Sequence, residues 1–98
     1  MNEKLLQIII DVADELNGDL DATIPVDRRE EAPLYGPQGV LTSLGLVSLV
    51  VGVEQAIAQE FGISVTLADE KAVSHTRSPF RTIGTLAEYA DGLIQKAN

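Results

Sequence analysis

Between Ser43 and Phe61 large apolar residues return every three or four positions: Leu46, Val50, Val53, Ile57 and Phe61 make one stripe, and Gly62 follows directly. That period belongs to an amphipathic helix, and a glycine just past the last apolar residue is a natural stop. A helix this apolar must lay its stripe against other elements, so the rest of the chain has to supply them. Ser48, Gly52, Gln55 and Gln59 fall on the opposite, small and polar face. Leu44, Val47 and Val51 lie beside the stripe and, where exposed, form an apolar patch at the N-terminal end of the helix.

The remaining chain offers three further helical patterns. Glu3 to Leu16 places Leu5, Ile9, Val12 and Leu16 on one stripe, widened by Leu6, Ile8 and Ala13, with Asn17-Gly18 as a left-handed stop. Thr66-Leu67-Ala68-Asp69 resembles a capping box and predicts a short third helix from about Leu67 to Val73. Ser78-Pro79 predicts a single turn. A last helix opens at Thr82 or Thr85 and ends near Gln95, with Ile83, Leu86, Tyr89 or Ala90, and Leu93 inward. Residues 17–42 hold Pro25, Pro33, Pro37, Gly18, Gly36 and Gly39, so no long regular element fits there. Leu20, Ile24, Val26, Leu34, Tyr35, Val40 and Leu41 are the residues able to pin that loop down. The expected fold is all-α, a four-helix bundle with a long first loop and a short third helix, in one domain spanning residues 1–98.

Aromatic residues make up only 4% of the chain, so the core has to be built from Leu, Ile, Val and Ala. The net charge of -8 speaks against a nucleic-acid partner, which needs clustered Lys and Arg. It favours encounter with basic protein surfaces. The acids concentrate early: residues 1–42 hold nine Asp/Glu against three Lys/Arg, and residues 43–98 hold six against four. Lack of cysteine excludes disulfides and thiolate chemistry from the chain itself. The opening Met1-Asn2-Glu3-Lys4 does not read as a secretory leader, and the uncharged stretch Leu34 to Val53 is broken by prolines and glycines. The expectation is a cytoplasmic monomer without a membrane span.

Thr42-Ser43 stands where the glycine- and proline-rich loop gives way to the most apolar helix. By local rules alone the pair is a helix cap. A hydroxyl at that place also lies where backbone N–H groups and the helix dipole favour an attached anion such as a phosphodiester. A serine hydrolase fits poorly: Gly45 suits the Gly-x-Ser-x-Gly elbow, but Leu41 occupies the other glycine position. His75, the only histidine, reads as a solvated loop residue near Ser74 and Arg77. Asp14, Glu15, Asp19 and Asp21 cluster after the first helix without calcium-loop spacing, and read as solvated acids with occasional divalent-ion contact. Gly36-Pro37-Gln38-Gly39 lacks the Gly-Lys-Ser/Thr ending of a phosphate loop.

The run Ser43-Leu44-Gly45-Leu46-Val47-Ser48-Leu49-Val50 resembles the attachment segment of the acyl carrier protein family. Glu54, Phe61-Gly62-Ile63, Ala68-Asp69-Glu70, and Thr82-Ile83-Gly84-Thr85-Leu86 followed by Tyr89 recur in the family's order. The resemblance spans nearly the whole chain. It implies that Ser43 carries 4'-phosphopantetheine, transferred from coenzyme A by a phosphopantetheinyl transferase, and that the arm's thiol holds acyl groups as thioesters. The chain is then a non-catalytic carrier, a substrate for acyl-loading and acyl-processing enzymes of fatty-acid, polyketide or related biosynthesis. Leu44, Val47, Val51 and Glu54 become the expected partner contacts, and Val50, Val53, Ile57 and Leu67 the expected lining of an acyl pocket. Three positions depart from the family: Thr42 replaces the usual Asp, Gly45 stands where many members carry Asp, and Ser48 where many carry Glu. These departures imply a specialised carrier with dedicated partners. The alternative from another class is an unmodified helical interaction domain that keeps the carrier fold.

Overall fold

The computed structural model describes residues 3–19, 23–36, 39–67 and 80–97. Among the described residues three α-helices dominate: α1 (Glu3–Leu16), α2 (Ser43–Phe61) and α3 (Ile83–Ala97). Two short 3-10 segments, Asn17–Asp19 and Val26–Glu31, interrupt the long first loop. Among the described residues the only β-type pairing is an isolated antiparallel bridge between Pro33 and Thr82, so the fold is all-α. The predicted third helix beyond Leu67, the Ser78-Pro79 turn, His75, Leu20 and Asp21 lie outside the described residues.

The first two helices run over the stretches that the apolar period marks out. The face that α1 buries is rotated from the expected one: Leu5, Leu6, Ile9, Ile10 and Ala13 are buried, while Ile8, Val12 and Leu16 stay half-exposed. Among the described elements α1 packs against α2, α3 and the second 3-10 segment, and together these set which face is covered. A helix wedged between others buries a wider arc than one stripe. Along α2 the stripe Leu46, Val50, Val53 and Ile57 is buried as expected, joined by Leu49, with Phe61 half-buried. On α3 the choice between Tyr89 and Ala90 resolves to Ala90, with Ile94 in place of Leu93 at the end of the stripe.

Helix ends obey local chemistry, with one exception. Gly62 takes the left-handed conformation (φ 65°, ψ 22°), and its N–H donates to the Ala58 carbonyl at 3.0 Å, closing α2. At α3, Thr82 and Thr85 cap each other's amides: the Thr85 N–H donates to Thr82 Oγ1 at 3.1 Å and the Thr82 N–H to Thr85 Oγ1 at 3.0 Å. This is a capping box with threonine in the place of the usual Glu or Gln. The exception is Asn17-Gly18, where neither residue adopts the expected left-handed stop. Instead the Asn17 side chain holds Ile24 from both sides, accepting its N–H at 2.7 Å and donating to its carbonyl at 3.0 Å. That clamp ties the loop back onto the end of α1.

The first loop is pinned as its apolar residues suggest. Ile24, Leu34 and Leu41 are buried, and Val26, Tyr35 and Val40 pack partly against the core. Three backbone bonds join the loop to the segment entering α3: Leu34 N–H to Arg81 O (2.7 Å), Tyr35 N–H to Phe80 O (3.0 Å) and Ile83 N–H to Ala32 O (3.0 Å). Phe80 is buried and meets the Tyr89 ring edge-on at 6.3 Å. Gly84 permits a close contact between α3 and the second 3-10 segment, since a Cβ there would lie 2.8 Å from the Glu30 carbonyl oxygen. Arg29 has φ 55° and ψ -123°, a strained backbone for a side-chain-bearing residue, and its guanidinium pairs with Glu3 at 3.1 Å.

Candidate functional site

The approach to α2 is built by a tight reversal of the chain. Gly39 N–H donates to Gly36 O (2.9 Å), and the amides of Val40 and Leu41 both donate to Leu34 O (3.1 and 2.9 Å). Gly39 fits only because it lacks a side chain: a Cβ would sit 2.6 Å from both the Leu34 oxygen and the Tyr35 Cα. Leu41 is then buried in the core, and the next residue, Thr42, emerges at the surface. A glycine contact and one buried leucine thus fix where the helix begins.

Thr42 is the N-cap. Its backbone is extended (φ -78°, ψ 173°), and its Oγ1 accepts the Gly45 N–H at 3.1 Å, while its carbonyl accepts the Leu46 N–H at 2.9 Å. Ser43 is therefore the first helical residue and not the cap. Its side chain lies outside the described residues. The N–H groups of Ser43 and Leu44 belong to the first turn, where no intrahelical carbonyl is available to them. Together with the dipole of a helix nineteen residues long, they make this end of α2 attractive to a negative group.

Beyond the serine runs an apolar edge. Leu44 is 77% exposed, Val47 52% and Val51 41%, the large hydrophobic residues that stand out on the described surface. They are spaced three and four residues apart and so share one face, as the sequence led us to expect. The opposite, small and polar face is turned toward α1. Gly52 lies against α1, where an added Cβ would meet Val12 Cγ1 at 2.9 Å, and Ser48, Gln55 and Gln59 line shallow grooves between α1 and α2. A small residue in the middle of that face lets the helices approach.

Glu54 is half-buried, and its Oε2 accepts the Leu67 N–H at 2.5 Å. It thus anchors the segment leaving α2, a task its sequence position gives no hint of because the partner lies thirteen residues away. Val50, Val53, Ile57 and Leu67 all belong to the core and are fully buried. They are packed against neighbours, so any group entering among them has to part side chains that now touch. Asp14 and Glu15 are exposed, and among the described residues no three acids or histidines gather into a possible metal site. By length and composition alone Leu44–Phe61 is apolar enough to cross a bilayer, with a mean hydropathy of 1.3, and one third of it is buried in the protein. Comparison of the chain with protein-family models, curated proteins and solved structures finds no match.

Proposed function

We propose that this chain is an acyl carrier protein with Ser43 as the attachment point for 4'-phosphopantetheine. In this reading the fold is completed to a four-helix bundle by a short helix after Leu67. The observation that carries the proposal is the division of labour at the start of α2. Thr42 supplies the cap and Ser43 is the first helical residue, so the bond that closes the first turn does not depend on the serine. The resemblance of Ser43–Val50 and of the later motifs to the carrier family supports the same residue.

The site suits the group in two respects. A phosphodiester on Ser43 is placed at a helix N-terminus with first-turn amides unengaged within the helix, where negative charge is favoured. The exposed Leu44, Val47 and Val51 give a transferase or an acyl-processing enzyme an apolar edge to grip beside the serine. The bound arm supplies the thiol that the cysteine-free chain lacks, and acyl groups are held on it as thioesters. The protein's own part is to present the serine and to offer docking contacts, with Glu54 at the margin of that surface.

Intact mass after co-expression with a broad-specificity phosphopantetheinyl transferase tests the proposal. The expected result is a gain equal to one arm, abolished in Ser43→Ala while helicity by circular dichroism is unchanged. Failure of several transferases to add mass to folded protein overturns it in favour of an unmodified interaction domain.

A further inference from the structure

A cavity of about 240 Å³ opens between the second 3-10 segment, the loop residues Pro33, Tyr35 and Gly39, and the start of α3. Arg28, Arg81, Tyr35 and Thr82 line it, with Glu31 at the same cavity. The chain has seven basic residues against fifteen acids, so two arginines on one concavity make a local reversal of sign. Elsewhere among the described residues Lys4 pairs with Glu60 at 3.5 Å and Arg29 with Glu3 at 3.1 Å. Among the described residues Arg28 and Arg81 have no ion pair and no side-chain hydrogen bond.

The walls are held by backbone. The Pro33–Thr82 bridge and the Leu34–Arg81 and Ile83–Ala32 hydrogen bonds fix Arg81 against the loop that carries Arg28. The mutual capping of Thr82 and Thr85 fixes the rim, and Gly39 is locked against Leu34 and Tyr35. Two guanidinium groups at a preformed concavity suit an oxyanion bearing two charges, since each presents a planar fork of donors. The size is below the roughly 300–1,000 Å³ of sites for drug-sized ligands, which fits a small charged group.

We propose that this cavity binds a phosphate group, either free or as a monoester. The site is separate from Ser43 and does not depend on the carrier reading. Glu31 leaves the cavity with one net positive charge, which limits affinity and makes it sensitive to salt.

The test is an NMR titration of the full chain with inorganic phosphate, with sodium chloride at matched ionic strength as reference and glycerol phosphate as a second arm. Saturable shifts at Arg28, Tyr35, Gly39, Arg81 and Thr82 under phosphate but not chloride are expected. Arg28→Gln and Arg81→Gln should each weaken binding about tenfold, because each removes a charge-assisted donor pair. Glu31→Gln should tighten it, and Ser43→Ala should leave it unchanged. Tighter binding of glycerol phosphate assigns the rest of the cavity to an ester group, and equal affinity assigns the site to the free ion. Shifts matched by chloride, or undiminished in the doubly substituted protein, overturn the proposal. Both arginines are exposed, so these variants should retain the fold, and Glu31→Gln gives an independent reading with the arginines intact.

Discussion

The geometry at residues 42 and 43 predicts that two adjacent hydroxyl residues respond oppositely to alanine. Thr42 Oγ1 accepts the Gly45 N–H, and Thr42→Ala leaves that amide to solvent and releases the first turn. Loss of such a cap costs about 0.5–2 kcal/mol. Ser43→Ala removes no cap and places the best helix former at a helical position, which is worth a few tenths of a kcal/mol in favour of the folded state. In a domain near this size each kcal/mol moves Tm by roughly 4–8 °C, so the two variants should separate clearly in thermal unfolding. Thr42→Asp supplies the third arm. It keeps an oxygen acceptor and adds an anion at the positive end of α2, a gain of about 0.3–1 kcal/mol at low salt. Part of that gain is offset by self-repulsion in a chain already at -8, and the remainder should shrink as salt rises. Urea midpoints at low and high ionic strength read all three. If Ser43→Ala costs as much as Thr42→Ala, Thr42 is not the cap. The serine is then structurally committed, and its availability for modification loses its physical basis.

Three glycines inside helices should answer alanine with different signs. An added methyl at Gly92 would meet nothing within 4 Å, so Gly92→Ala should stabilise by about 0.8–1 kcal/mol. Gly84→Ala meets Glu30 backbone and should destabilise by about 1–3 kcal/mol, while Gly52→Ala meets only Val12 Cγ1 and should fall between them; urea midpoints order the three, and any other order refutes the packing of α3 on Glu30. Glu54→Ala strips the Leu67 amide of its acceptor and should cost about 1–3 kcal/mol, whereas Glu54→Gln, which keeps an acceptor oxygen, should cost less. Hydrogen exchange at the Leu67 amide, accelerated in Glu54→Ala and nearly unchanged in Glu54→Gln, separates lost anchoring from a general loss of stability.

What could be read in the sequence was whatever local spacing decides. The span of α2 and its glycine stop follow from one period and one residue with special backbone freedom. The pinned loop residues Ile24, Leu34 and Leu41 follow from isolated apolar side chains in a polar stretch. The misjudged features all need a partner distant in sequence. The turn of α1 that buries Ile10 and half-exposes Val12 depends on where two other helices lie. Asn17 looks like a left-handed stop until Ile24 is seen to occupy its amide. Glu54 and Leu67, or Arg28 and Arg81, have no mutual signature in the chain. At the candidate site the serine's place at the helix start was legible, but the assignment of the cap to Thr42 was not, because either hydroxyl satisfies the same local rule.

The composition of α2 then takes on a physical sense. One face fills the core with Leu46, Leu49, Val50, Val53 and Ile57, and a second face uses Gly52 to approach α1. Those two demands account for much of its apolar character, but neither requires Leu44, Val47 and Val51, which remain substantially exposed. Fully covering one such side chain is worth about 1.5–3 kcal/mol, so three in a row offer a partner several kcal/mol before ordering costs. No described element uses that surface, and it begins one residue after Ser43. An enzyme that docks there by burying these side chains is brought beside the serine by the same contact. Substituting all three with serine should therefore raise KM for a transferase far more than it lowers stability, and an unchanged KM would remove the edge from the recognition surface.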